Sequence, residues 1–212
     1  SCVSASAGTP EPTRRLPGAV LQPSAATVRI ETQVRVEAPP RVVFDFFAWL
    51  DHLRLVSPSR RREWCTTPGQ RLAEGTSHQV CLQQGRHRVR LGFTTEVLRP
   101  AELVVDVFTS WPLDGARRVL HFSAETGPDG AVATRVVEED EWRPPMLVRA
   151  LVDKRLEQQR AQFEEKLANA KRVIEAAYGE LGSEAFARGV LEPARQVGFT
   201  LDGPPGCRSS TA

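Results

Sequence analysis

From Val28 onwards, apolar and polar residues take strict turns. Val28, Ile30, Thr32, Val34 and Val36 share one face, and Arg29, Glu31, Gln33, Arg35 and Glu37 share the other. A period of two marks a strand with one buried side. The alternation returns at His78, Val80 and Leu82, and again at Val89, Leu91, Phe93, Thr95 and Val97. With shorter strand-like stretches at 62–66, 103–110, 117–126 and 132–142, seven strands are expected. The turns between them are mostly short, around Gly85, Arg99-Pro100 and Gly127-Pro128-Asp129-Gly130. Short turns join neighbours that run in opposite directions, so the sheet is expected to be antiparallel.

Helical periodicity appears in two places. After the first strand, Pro40 suits the opening position of a helix whose apolar face is Val43, Phe44, Phe47 and Trp49-Leu50. A second turn or two runs to Val56 before Ser57-Pro58 breaks it. Near the C-terminus, Val148, Val152, Leu156, Phe163, Leu167, Ala170, Ile174 and Ala177 recur in steps of three, four or seven. That stripe predicts a helix over 146–177, with Asp153, Lys154, Arg155, Glu157, Arg160, Glu164, Glu165 and Lys166 on its solvated side and Gly179 as its stop. Such a helix is about 48 Å long at 1.5 Å per residue. It needs a broad apolar partner, and the strands upstream supply one.

Residues 1–26, rich in Ser, Ala, Pro and Thr without a sustained period, read as a disordered leader. Residues 27–178 read as one folded domain, and 179–212, with Gly203-Pro204-Pro205-Gly206, as a flexible or weakly helical tail. The composition is that of a globular protein, 41% apolar and 25% charged. A net charge of +2 gives no argument for a nucleic-acid partner, and no apolar run is long enough to span a bilayer. No charged stretch followed by an apolar core suggests a secretory leader. The four cysteines, at 2, 65, 81 and 207, show no metal-ligand spacing. Reduced thiols in a cytoplasmic protein, with no metal and no cofactor, are the expectation.

The order strand, two short helices, six strands and long C-terminal helix resembles the helix-grip fold of the Bet v 1/START-related (SRPBCC) superfamily, in its bacterial polyketide cyclase/dehydrase and lipid-transport branch. The stretch VRVEAPPRVVFDFFAWLDHLRLVSP is similar to the first strand and helix pair of that family. LAEGTSHQV is similar to the lead-in to its third strand, and FEEKLANAKRVIEAA to the end of its last helix. The resemblance covers roughly 27–178. It implies an α+β fold in which a curved seven-stranded antiparallel sheet grips the long helix and leaves an apolar cavity between them.

Three functions compete on this basis. The first is binding of an apolar or aromatic small molecule, a lipid or polyketide-like metabolite, with Phe44, Phe47, Phe93, Phe108, His121 and Phe163 as expected lining residues. The second is a polyketide aromatase/cyclase, for which His78, His121, Arg118 and Glu138 are the candidate acid–base groups. The third is a protein–protein module, like the co-chaperones that share this fold, with a closed core. His52 and His87 read as surface residues, and Cys65 and Cys81 as small buried ones. The acidic run 138–141 leaves one ambiguity. If Thr126 pairs with Ala131 across the turn, Arg118 faces Glu139, whereas a bulge in the turn brings Val119 opposite Glu139.

Overall fold

A computed structural model describes residues 27–189 apart from 112, 128, 129 and 145, without the side chains of 146–148 and 150–154. The expected leader and most of the expected tail, from 190 on, lie outside the described residues. Seven strands follow the sequence pattern: β1 (Val28–Val36), β2 (Arg62–Cys65), β3 (Ser77–Gln84), β4 (His87–Arg99), β5 (Leu103–Phe108), β6 (Arg117–Thr126) and β7 (Val132–Trp142). They form one antiparallel sheet in the order β1-β7-β6-β5-β4-β3-β2. The only long jumps are from β1 to β2, which sit at opposite edges, and the closing of β7 onto β1. The helices α1 (Pro40–Ala48) and α2 (Leu53–Val56), with a 3₁₀ turn at Leu50–His52 between them, make the first of these crossings. A register shift between Thr95 and Val97 bends β4 against β5. Such a bulge sharpens the local twist and helps to curl the sheet.

The concave side of that curl holds the core. Val36, Leu91, Phe93, Val104, Leu120, Phe122 and Val136 point inward from the strands, and Leu167, Ala170, Val173 and Ile174 meet them from α3 (Met146–Leu181). Fully burying a side chain of this size is worth about 1.5–3 kcal/mol, so the α3 stripe is what holds the helix against the sheet. The helix runs past the expected stop. Gly179 lies inside it, and the left-handed residue is Gly182 (φ 69°), whose N–H returns to the Tyr178 carbonyl at 3.1 Å. A glycine that ends a helix needs the positive φ, and sequence order alone does not say which of two neighbours adopts it. Beyond it, α4 (Ser183–Ala187) packs on α1 and buries Phe186, which extends the packed body past 178.

Two expectations about polar residues are corrected. Lys166, assigned to the solvated face of the long helix, is only 4% exposed. It sits between Gln162 and Ala170 on the strip that faces the sheet, and carboxylates there take its charge. His52, read as a surface residue, is buried. Its Nδ1 donates to the Phe46 carbonyl at 2.7 Å, and its ring stacks on Phe46 with centroids 4.5 Å apart. The 3₁₀ turn tucks it under α1, where a four-residue window sees only a polar residue after an aspartate.

Burial drives the His52 pKa down from 6.5 to about 4, so the folded chain holds it neutral. The folded value lies below the unfolded one, so its contribution is complete above pH 6.5 and is lost as pH falls towards 4. The loss amounts to roughly 3 kcal/mol. His52→Gln, which keeps an N–H donor but does not titrate, should flatten the acid side of the stability curve by about that amount in urea unfolding at stepped pH. Parallel wild-type and variant curves between pH 6.5 and 4 would sink the claim.

Candidate functional site

Between the concave sheet and the middle of α3 lies a partly enclosed pocket of about 270 Å³. Its walls are mostly apolar: Val80 from β3, Leu91 and Phe93 from β4, Phe108 from β5, Phe163 from α3 and Leu53 from α2. Inward-facing positions on neighbouring strands lie side by side, so residues distant in sequence meet here. Phe93 and Phe108 are directly paired across β4 and β5, with ring centroids 6.1 Å apart.

The polar part of the pocket comes from the same inward faces. In β6 and β7 the pairing is Val119 with Glu139 and Arg118 with Asp140. This is the bulged alternative of the turn, held by Gly127 N–H on the Ala131 carbonyl at 2.8 Å. It turns Arg118, Glu138 and Asp140 into the pocket together, and Arg61, Glu63 and Lys166 reach the same space from the start of β2 and from α3. Arg118 is locked to Asp106, through Nε at 3.1 Å and through Nη2, and Thr95 Oγ1 donates to the other Asp106 oxygen at 2.8 Å. Arg61 is paired with Glu63, and Lys166 Nζ lies 3.8 Å from Glu63 and 3.4 Å from Glu138. The guanidinium groups also cover aromatic rings, Arg118 over Phe93 and Arg61 over Phe163, each 5.5 Å from the centroid.

Three cations (Arg61, Arg118, Lys166) thus meet four carboxylates (Glu63, Asp106, Glu138, Asp140). Burial opposes the charge on Glu63, but Lys166 and Arg61 outweigh it and hold its carboxyl below the ordinary range. Burial likewise opposes Arg118, and Asp106, Glu138 and Asp140 overcome it and raise its pKa. Asp140 goes the other way. Burial, and then the neighbouring Glu138 charge, push its pKa from 3.8 up to about 8 against the pull of Arg118, Lys166 and Arg61. A carboxyl without a cation of its own in a low-dielectric site prefers to keep its proton.

No family model matches the chain, and no curated protein matches it. Solved structures do. A protein from Chromobacterium violaceum superposes over 69% of this chain and 96% of its own length, with 15% identity and a TM-score of 0.52. An AHSA1-like protein from Aeromonas hydrophila matches over 73% and 96%, with 20% identity and a TM-score of 0.51. A third, from Rhodobacter sphaeroides, matches over 70% and 92%, with 11% identity and a TM-score of 0.52. The chain has a Bet v 1/SRPBCC-like helix-grip fold.

Within this helix grip the sequence-selected residues separate into three groups. Phe93, Phe108, Phe163, Arg118 and Glu138 line the pocket. Phe44 and Phe47 lie outside its lining and pack on Phe122 instead, with ring centroids 5.7 and 5.8 Å away. They plug the curl beneath α1. His78 is buried behind the wall, beside Phe93, with Nε2 2.8 Å from Thr76 Oγ1 and Nδ1 3.2 Å from Gln70 Oε1. Burial lowers its pKa. His121 is exposed on the convex face, between buried Leu120 and Phe122, because alternate residues of a strand point to opposite sides. Asp140, Glu63, Arg61 and Lys166 were not selected from the sequence. The signal that could have found Asp140 is its parity with Glu138 and Val136 along β7.

The fold resists the charge of Asp140. Its folded pKa exceeds the unfolded one, so the stability it contributes is complete below pH 3.8 and is lost as pH rises to about 8. Asp140→Asn keeps the shape and removes the titration. The variant should gain on wild type from about pH 4 upward, by at most about 1.4 kcal/mol per pH unit, with the gap levelling off above about pH 8. Denaturant melts at stepped pH check this, and a constant gap would refute it.

Proposed function

We propose that the chain is a binding module for a compact, largely apolar small molecule held between the sheet and α3. The observation that carries this reading is the pocket itself, with apolar and aromatic walls and a small charged group at one side. Ligand sites are typically apolar clefts in which a few polar groups fix orientation. Their usual size is about 300–1,000 Å³, so a pocket of about 270 Å³ favours a ligand of one or two rings over an extended lipid or a long poly-β-ketone. Binding energy would come from burying that ring against Leu91, Phe93, Phe108 and Phe163.

A second reading draws on Asp140. A carboxyl kept protonated beside ionised groups can act as a general acid, and Glu138 or Lys166 stands beside it as a possible partner. This is the arrangement a cyclase or dehydrase acting on a small carbonyl compound would use. The protein-interaction reading has less support. The large exposed apolar residues Val89, Trp111, Val132 and Leu181 belong to four separate parts of the described chain.

The test is to fill the pocket. Val80→Phe should abolish uptake of small aromatic compounds, read by ligand-observed NMR, while leaving the thermal midpoint unchanged or higher because a void is filled. Uptake that survives this change would rule out the pocket as the binding site. Ile30→Leu, a volume-conserving change at a buried residue outside the pocket lining, should leave uptake and fold intact and serves as the control.

A further inference from the structure

Three buried carboxylate oxygens of pocket-lining residues are without a hydrogen-bond partner, Glu63 Oε1, Glu138 Oε2 and Asp140 Oδ2; the first is ion-paired with Arg61, which leaves Glu138 Oε2 and Asp140 Oδ2 open. Glu138 is 1% exposed and Asp140 9%. Native folds rarely leave such atoms orphaned, because an unmade buried hydrogen bond costs about 1–3 kcal/mol. Both belong to side chains that line the pocket, and both are on the inward face of β7, two residues apart, hence about 7 Å apart along the strand. Trp142 follows on that face and also lines the pocket.

The surroundings say what would satisfy them. An ionised carboxylate oxygen only accepts, so a partner for Glu138 Oε2, and for Asp140 Oδ2 once Asp140 ionises, must donate. The nearby cations are already ion-paired, Arg118 with Asp106, Arg61 with Glu63, and Lys166 with Glu63 and Glu138, although Arg61 Nε has no hydrogen-bond partner of its own. An anionic ligand would therefore meet two open carboxylate oxygens and, among the described residues, cations that already have a carboxylate partner. A neutral hydroxyl could serve one oxygen but brings no charge to take over from the Asp140 proton. An ammonium group answers both needs, since it carries three donors and one positive charge.

We propose that the pocket takes a small aromatic primary amine, its ammonium bridging Glu138 Oε2 and Asp140 Oδ2 and its ring lying against the aromatic wall. This rests on the small-molecule reading above and names the ligand class for it. The groups that face Asp140 are Glu138 on its own strand, Arg118 on β6 with Asp106 behind it on β5, Arg61 and Glu63 at β2, and Lys166 on α3, with Arg117 and Glu141 also lining the pocket. At neutral pH the Asp140 proton balances this set when the pocket has no cation. An incoming ammonium takes over that role, so the proton leaves to solvent as the amine binds.

Calorimetry on the full chain tests it with three probes that share one ring: 2-phenylethylamine, 2-phenylethanol and phenylacetate. At pH 7, in two buffers of different ionisation enthalpy, the amine should bind at least about tenfold tighter than the alcohol, as expected for hydrogen bonds to charged groups. Its binding should release close to one proton, and phenylacetate should not bind. Asp140→Asn should abolish the proton release and weaken the amine about tenfold without affecting the alcohol, and Glu138→Gln should weaken the amine similarly. Equal affinity for amine and alcohol, or a preference for phenylacetate, overturns the amine assignment and leaves a general small-molecule pocket. No binding of any of the three overturns both. The probe series on the unaltered chain decides the matter even if a variant does not fold.

Discussion

The register of one hairpin sets the character of the concave face. Because β6 and β7 pair Thr126 with Val132, even-numbered residues of both strands point inward. Leu120 and Phe122 thereby meet the same space as Val136, Glu138 and Asp140. A shift of one residue would have turned Glu139 and Val137 towards Arg118 and Leu120, and placed Asp140 on the convex side. The turn that decides this is held by backbone bonds between Gly127, Gly130 and Ala131, with Gly130 at φ 78°. Side-chain charge in the pocket is therefore a consequence of backbone conformation at the far end of the strands.

The long helix completes the arrangement in two different ways along its length. Between Leu167 and Ala177 it buries aliphatic residues against the sheet and α1, and this part anchors it. One turn earlier it presents Phe163 and Lys166 to a space that the sheet does not fill. The buried ammonium of Lys166 is tolerable only because Glu63 and Glu138 flank it from two distant strands, the edge strand β2 and β7 beside the other edge. The ion pairs thus tie the two halves of the curl through the helix, at the place where apolar contact gives out.

Much of the fold was legible in the sequence. Seven strands, the Pro40 helix start and the α3 stripe from Leu167 onward all follow from periods of two and 3.6, because each element has one buried side. The site was legible in part. Phe93, Phe108, Arg118 and Glu138 could be picked out because they lie on inward faces of clearly alternating strands. His121 misled because a titratable residue in mid-strand draws notice whichever way it points, and the apolar parity of Leu120 and Phe122 was the better guide. Phe44 and Phe47 were right for burial, but the crossing angle of α1 sends them to Phe122. Lys166, Glu63 and His52 were hidden because their burial depends on partners distant in sequence, and no local window holds that information.

The contrast among buried carboxylates gives the pocket its meaning. Asp45, 2% exposed, is satisfied by Arg41 at 3.1 Å and by Arg71. Asp106, fully buried, has Thr95 and a two-point contact from Arg118. Both carboxylates are buried together with the donors they need, as stability requires. At Glu138 and Asp140 the chain leaves an oxygen open on each side chain, against an apolar wall, and Asp140 has no cation of its own. A hydrophobic or amide residue at Asp140 would serve the fold better. Departures from local consistency tend to collect where a protein does its work. At Glu138 and Asp140 the departure faces the space between the sheet and α3, and its chemistry calls for a donor with a positive charge.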